Sequence, residues 1–332
     1  MQTRLSVQEY IDGILSGNRL VLSRAITLVE SQLPADKELG QAVLEKLLPH
    51  TGKSVRVGIT GVPGVGKSTF IETLGTHITA QGKKLAVLAI DPTSQRSKGS
   101  IMGDKTRMEN LSYNPLAYIR PSPTGNSLGG VAHKTRESLL LCEAAGFEVI
   151  FIETVGVGQS ETVVKSMTDF FLLLMLAGAG DELQGIKKGI MEMADGVVIT
   201  KADGDNLLSA SRAVVEYQNA LHLFPASQNH WITEVCTCSA LQNKGIAEVW
   251  NMIVRFEILT KKNDFWKINR QNQQLEWMYA YILQALESQF YGSEAIQKAI
   301  GSVKQTVLNE QMLPTQAAQH LLKIFERKKT VD

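Results

Sequence analysis

The sequence predicts an α/β fold, a mostly parallel sheet flanked by helices, with helical N- and C-terminal extensions. Three observations carry this expectation. Between residues 54 and about 260, apolar runs of five to eight residues alternate with helical patterns, as in strands joined by helical crossovers. Residues 1–50 and those after 260 show helical periodicity alone. The longest apolar run, FFLLLMLAGAG at Phe170–Gly180, reads as a strand buried on both faces. It is about half of what a bilayer span needs, and Asp169 and Asp181 bracket it.

Taken in order, the first fifty residues suit three short helices. Val7, Tyr10, Ile11 and Ile14 form the first stripe, Leu20, Ala25, Ile26 and Val29 the second, and Leu39, Val43, Leu44 and Leu47 the third. The third is capped from the Pro34-Ala35-Asp36 turn. The expected strands are Val55–Thr60, Leu85–Ile90, Val149–Glu153, Phe170–Leu176, Val197–Thr200 and Ile232–Cys236. Near the C-terminus, Leu275, Met278, Tyr279, Ile282, Leu283, Leu286 and Phe290 share a helical stripe that Trp277 and Tyr281 widen. Such a helix either packs on its own sheet or forms an arm that pairs with a second subunit. The arm is favoured because the α/β region is complete without it. The expected division is a helical extension over 1–50, an α/β domain over 51–262 and a C-terminal helical arm over 263–332. There is no internal repeat or low-complexity linker.

Composition narrows the partners. Of 332 residues, 44% are hydrophobic and 20% charged, and 34 basic side chains against 33 acidic give a net charge of +1. This excludes a bulk electrostatic pull towards nucleic acid or an anionic membrane. Cys142, Cys236 and Cys238 are a sparse, odd set that fits a reducing compartment. Cys236 and Cys238 would share one side of a strand, but without a histidine cluster they read as buried structural thiols. The N-terminal MQTRLSVQEYIDGILSGNR has no apolar core of a signal peptide. A cytoplasmic protein is expected.

The chemistry begins after the first strand, at Gly61-Val62-Pro63-Gly64-Val65-Gly66-Lys67-Ser68-Thr69. This is G-x-x-x-x-G-K-S between a strand and a helix. Its glycines let backbone N–H groups turn inward around phosphates, and the helix N-terminus adds positive potential. Lys67 then neutralises the β- and γ-phosphates, and the Ser68 hydroxyl binds Mg²⁺. The fold expected is therefore that of a P-loop NTPase. The strand VLAIDPTS delivers Asp91 to the carboxyl edge of the sheet, and EVIFIETVGVGQSE delivers Glu153 followed by Gly156. Either acid alone would read as a solvated strand end. Together, beside a phosphate loop, they point to the metal, with Glu where Asp is usual in a Walker-B strand.

A base reader follows. The strand ending VIT leads into Thr200-Lys201-Ala202-Asp203, one letter from the Asn-Lys-x-Asp of guanine-specific sites. Asp203 can accept from guanine N1–H and N2–H₂, a pair adenine does not offer, while the Lys201 stem lies over the base or ribose. Thr200 stands where Asn braces the loop, a role a hydroxyl fills in part. About thirty-five residues on, Cys238 precedes Ser239-Ala240-Leu241, where a backbone N–H can meet guanine O6. The bound nucleotide is expected to be GTP, or GDP after hydrolysis. Two loops exceed what a minimal GTPase needs. One spans 94–111, with Asp104, Lys105 and Arg107 as its working members; the other spans 178–196. Each is either a nucleotide-sensing segment or solvated surface.

In this order, the P-loop, IDPTS, SKGSIMGDKTRM, ETVGVGQSE, GAGDELQGIKKGI, TKAD and CSAL closely resemble the MeaB/ArgK family of G proteins, over nearly the whole chain. The resemblance implies a homodimeric member of the SIMIBI class of P-loop proteins. It implies a GTPase chaperone of adenosylcobalamin-dependent methylmalonyl-CoA mutase, one that gates cofactor loading and protects the mutase. It also implies that Ser68, Asp91, Asp104 and Glu153 surround Mg²⁺, and that 178–189 is a third switch loop facing the mutase with Lys187 as pivot. Cys238 stands where Thr is the family's expectation, which matters little because the backbone reads the base. The implied reaction is attack of water on the γ-phosphate. Lys67 and Mg²⁺ stabilise the charge, and a switch carboxylate, Asp104 or Glu153, orients the water. Without an evident catalytic Gln or His, intrinsic turnover should be slow and partner-stimulated.

Three rival readings have distinct signatures. An ATPase or kinase tied to arginine and ornithine transport would not need TKAD and CSAL. A nickel-inserting GTPase would need a Cys/His cluster. A scaffold with a dead nucleotide site would not keep Lys67 and Ser68.

Overall fold

The computed structural model describes residues 4–90, 108–121, 128–154, 160–178, 188–225 and 229–329. Its seven strands are β1 (Val55–Gly61), β2 (Leu85–Ile90), β3 (Ala117–Arg120), β4 (Val149–Thr154), β5 (Phe170–Leu176), β6 (Gly196–Thr200) and β7 (Glu234–Thr237). They form one sheet in the order β3-β2-β4-β1-β5-β6-β7, with every pairing parallel. Strands β2 and β4 are buried along their whole length, which requires apolar side chains on both faces. The expected α/β class is the one observed.

One strand was missed, one begins two residues later than expected, and the other strand-end differences are of a single residue. Strand β3 was not anticipated, because Ala117-Tyr118-Ile119-Arg120 is short, lies between Pro115 and Pro121 and pairs only with β2 at the sheet edge. The last strand begins at Glu234 and not Ile232. Ile232 is 77% exposed, and the ladder with β6 opens at the Gly196–Glu234 pair.

Residues cluster into two compact units, Met1–Gln273 and Gln274–Asp332. The first holds the sheet and the helices α1 (Val7–Leu15), α2 (Arg19–Glu30), α3 (Pro34–Leu47), α4 (Lys67–Ala80), α5 (Glu109–Tyr113) and α6 (Leu128–Ala144). It also holds α7 (Ser160–Lys165), α8 (Lys188–Met193), α9 (Leu207–Leu221), α10 (Ile246–Lys262) and the start of α11 (Phe265–Gly292). Pro34 is the first residue of α3 rather than part of a preceding turn, a position where its missing N–H costs nothing. Tyr10, Ile14, Leu22, Ile26, Val43 and Leu47 of α1–α3 are buried in the same apolar cluster as the strands.

The amino edge of the sheet is tied by a buried charge network. Arg56 pairs with Glu143 at 2.9 Å and Arg270 with Asp169 at 2.7 Å, with both carboxylates almost fully enclosed. Arg270 also donates to the carbonyls of Gly52 and Ser54, and its guanidinium lies 4.8 Å from the Trp266 ring centre. Gln273 donates to the Thr168 carbonyl at 2.7 Å. The first two turns of α11 are thereby pinned beside β1 and β5. A pair this buried gains its worth from complete hydrogen bonding, and loss of one partner would strand a charge.

The second unit contains the remainder of α11, α12 (Glu294–Leu308) and α13 (Pro314–Lys329). Ile296, Val303 and Ala317 form its buried side, and the Phe290 and Phe325 rings meet at 5.3 Å. Among the described residues, no helix is long and apolar enough to cross a membrane.

Candidate functional site

The loop between β1 and α4 is shaped by its glycines. Gly64 and Gly66 have φ of 75° and 89°, the left-handed region where a side chain is strained. Gly61 is needed for another reason: a Cβ there would lie 2.5 Å from the Leu174 carbonyl of neighbouring β5. Val62 and Val65 are buried and anchor the loop, while Pro63 and Gly64 stand exposed at its crest. Helix α4 starts at Lys67 and is capped by Gly66, so Lys67, Ser68 and Thr69 form its first turn. Their N–H groups precede the first intrahelical bonds and are available to an anion.

The Lys67 ammonium donates to the Gly61 carbonyl at 3.0 Å, folded back across the loop. Burial pulls its proton affinity down, and the charges of Glu153 and Glu161 push it back up. Glu153 reaches this position from β4, where it pairs in register with Ile59 of β1 and Ala89 of β2. Glu161 comes from the first turn of α7. Both carboxylates are buried, at 6% and 1% exposure. The charges of both enclosed acids thus act on one ammonium. A carboxylate at this edge can hold a divalent cation where phosphates must also enter. Among the described residues, no three His, Cys, Asp or Glu converge into a metal cage. Mg²⁺ needs none, since one or two carboxylates plus phosphate oxygens suffice.

The TKAD segment continues from β6 directly onto the phosphate loop. The Thr200 hydroxyl donates to the Val65 carbonyl at 2.8 Å and lies 3.3 Å from the Met175 carbonyl. This is the loop brace that the sequence assigns to Thr200. Lys201 adopts φ of 54°, and its Cε lies 4.0 Å from where a Cβ on Gly66 would be. Its stem therefore runs over the phosphate loop. The Ser239 hydroxyl, fully buried, donates to Asp203 Oδ2. The backbone joins the same elements, since Ala202 N–H donates to the Cys238 carbonyl at 3.0 Å.

The Ser239-Ala240-Leu241 loop closes through paired bonds between Ser239 and Lys244. Gly245 permits the closure, because a Cβ there would lie 2.3 Å from the Thr237 carbonyl. The Ala240 carbonyl is 3.3 Å from the Thr73 hydroxyl of α4, and Leu241 is 83% exposed. Cys238 is buried, and enclosure holds its thiol up at about 12, so it stays protonated and inert.

The structure thus gathers the residues from Gly61 to Thr69 with Glu153, Thr200, Lys201, Asp203 and Ser239 at the carboxyl edge of the sheet. Asp91, Asp104, Lys105, Arg107 and Lys187 lie outside the described residues. Glu161 is the acid that sequence reasoning passed over. Its signal was present as the second acid of ETVGVGQSE, eight residues after Glu153 and in a helical first turn.

A parallel sheet with a G-x-x-x-x-G-K-S loop between β1 and α4 defines a P-loop NTPase. The profile of the family described as "Methylmalonyl Co-A mutase-associated GTPase MeaB" matches residues 22–295. The chain belongs to that family. The protein named "GTPase ArgK" of Escherichia coli is 40% identical over 98% of this chain and 98% of its own length. The mouse protein named "Methylmalonic aciduria type A homolog, mitochondrial" is 44% identical over 96% of this chain and 80% of its own. A crystal structure described as "LAO/AO transport system kinase" superposes with a TM-score of 0.78 at 35% identity, covering 98% of this chain and 99% of that one.

Proposed function

We propose that this protein binds GTP, hydrolyses it with Mg²⁺, and serves as a chaperone for adenosylcobalamin-dependent methylmalonyl-CoA mutase. The observation that carries the nucleotide reading is the Thr200–Asp203 segment, bonded at one end to the phosphate loop and at the other to Ser239. Asp203 accepts guanine N1–H and N2–H₂ while Ser239 holds one of its oxygens, which has a further lone pair. Thr200 fixes the distance between base and phosphates through Val65. The Lys201 stem covers the ribose side, and the N–H groups of the Ser239-Ala240-Leu241 loop face guanine O6.

At the phosphate end, the first-turn N–H groups of α4 and the loop backbone take the β-phosphate. The Lys67 ammonium swings from the Gly61 carbonyl to the β- and γ-phosphates, where negative charge grows in the transition state. Ser68 and Glu153, with Asp91 and Asp104, would hold Mg²⁺, which when bound supplies charge neutralisation at the γ-phosphate. A carboxylate of Asp104 or Glu153 orients the attacking water.

The link to the mutase rests on the family's description and on the name of the mouse relative. In this reading the 178–189 loop contacts the mutase, with Lys187 transmitting nucleotide state. Hydrolysis gates cobalamin loading. A homodimer is supported by the exposure of Leu275, Tyr279, Leu283 and Leu286, between 49% and 68%, on one stripe of α11. A cytoplasmic location fits three cysteines without a disulfide. The second reading, an ATPase or kinase associated with basic amino-acid transport, is favoured by the name of the solved neighbour.

A competition experiment separates the two. GTP and GDP should displace a fluorescent guanine nucleotide at concentrations at which ATP does not. Displacement by ATP as effective as by GTP would overturn the guanine assignment.

A further inference from the structure

The sheet parts at the site. The β1–β4 ladder runs from the Val55–Val149 pair to the Ile59–Glu153 pair and ends there. Beyond it, β1 stays with β5 through Thr60–Leu173 and Gly61–Leu174, while β4 stays with β2 through Ile90–Thr154. The carboxyl edge thus divides into two halves. One half carries the phosphate loop after β1 and the Thr200–Asp203 segment after β6. The other carries Glu153 and the end of β2, which Asp91 follows in sequence. A side-chain bond spans the seam between them. The Thr154 hydroxyl donates to the Thr60 hydroxyl at 2.8 Å, directly after the last ladder pair. Both residues are buried, at 0% and 1% exposure. Thr60 lies two residues beyond Gly58 and shares its face of the sheet, the face on which a Cβ at Gly58 would lie 2.7 Å from a Val164 methyl of α7. The bond is therefore enclosed, and its two residues adjoin Gly61, at the root of the phosphate loop, and Glu153.

We propose that Thr60 and Thr154 are positioning residues whose bond holds the phosphate-loop half and the acid half at the spacing that one Mg²⁺ needs. The proposal rests on the reading of this edge as a Mg²⁺–GTP site, in which Ser68 from one half and Glu153 from the other serve the same ion. Mg²⁺ demands near-ideal octahedral geometry with short ligand distances, so a seam free to widen weakens its hold. Phosphates on one side and a carboxylate on the other repel across the seam, and the hydroxyl bond resists that opening. The two threonines act through Ser68 and Glu153, not on the nucleotide. Binding of GDP without Mg²⁺ needs the phosphate-loop half alone and is independent of them. No covalent step is involved.

The test is a pair of titrations on the full chain. One finds the Mg²⁺ concentration that half-maximally tightens binding of the β,γ-imido analogue of GTP; the other finds GDP affinity in EDTA. The double variant Thr60→Val with Thr154→Val replaces both hydroxyls by methyls of the same shape and strands no polar group. Its Mg²⁺ requirement should rise about fivefold, the scale of one buried neutral hydrogen bond, with GDP affinity in EDTA within about twofold of the native chain. Thr154→Ser keeps the hydroxyl and should keep the native Mg²⁺ requirement. Where the double variant does not fold, Thr154→Val alone is read by the same two titrations. An unchanged Mg²⁺ requirement in a folded Val variant overturns this proposal alone. So does an equal loss of GDP affinity in EDTA, or a Ser variant as impaired as the Val one. Failure of the unaltered chain to bind the analogue, or binding indifferent to Mg²⁺, overturns it together with the reading of the site.

Discussion

Replacing Asp203 by Asn tests the base reader at a single atom. In the structure one carboxylate oxygen takes the Ser239 hydroxyl. An Asn carbonyl can keep that bond, so its amide would be turned towards the base. A donor then faces a guanine donor, and one charge-assisted bond is lost. A hydrogen bond to a charged group contributes roughly 1.5–3 kcal/mol, and the mismatched donor adds to the loss. The expected penalty is about 2–4 kcal/mol, or roughly 30- to 700-fold in Kd for GTP. The fold should be unaffected, because Ala202 N–H still donates to Cys238 and Thr200 still holds Val65. Xanthosine triphosphate carries a carbonyl where guanine carries its amino group, so it should recover most of the loss. Titration of both nucleotides against both proteins, with thermal melts as control, reads the result. Unchanged GTP affinity, or equal loss for both nucleotides, would refute the assignment of Asp203 as the base reader.

Other outcomes follow from neighbouring contacts. Thr200→Val removes the hydroxyl from the buried Val65 carbonyl and should cost about 1–2 kcal/mol of stability in denaturant titration, with a several-fold weaker GDP affinity as the loop loosens. Glu153→Ala and Asp91→Ala should each abolish Mg²⁺-dependent hydrolysis while weakening GDP much less; full turnover in both would show that neither acid serves the metal. The His133–Glu137 contact, 3.4 Å, predicts a pH effect. Burial pushes Glu137 up to about 7 and His133 down to about 4. As pH rises from 4.5, the folded chain keeps a Glu137 proton that the unfolded chain releases, so this group lowers stability up to pH 7. From about 4 to 6.5, the unfolded chain holds a His133 proton that the folded chain lacks, so stability rises. The two slopes oppose each other in the native protein. Glu137→Gln removes the falling one and should leave a rise of about 3 kcal/mol between pH 4 and 6.5; equal slopes in both proteins would contradict the assignment.

Much of this molecule is legible because its chemistry sits on strand ends. A buried strand needs a run of apolar residues, and the residue after the run emerges at the carboxyl edge; Gly61, Glu153 and Lys201 were placed by that rule alone. Strand β3 escaped because an edge strand of four residues between prolines needs only one partner and carries no long apolar run. Ile232 misled because β propensity does not report burial, and its side chain faces solvent. Glu161 escaped for a different reason. An acid in a helical first turn has an ordinary explanation in the helix dipole, and no local pattern announces that α7 packs against Gly58 of β1 and that this acid is buried. Arg270 and Asp169 are 101 residues apart, and no local pattern announces their pairing.

The most direct test of the account is GTP turnover by the purified chain, alone and with methylmalonyl-CoA mutase, measured beside Lys187→Ala. The account predicts slow intrinsic hydrolysis that the mutase raises. It predicts a Lys187→Ala variant with intrinsic hydrolysis within a few-fold of the native chain and most of the stimulation lost. GTP hydrolysis indifferent to the mutase would contradict the chaperone role. Collapse of intrinsic hydrolysis in the variant would move Lys187 from the partner-facing loop into the catalytic machinery.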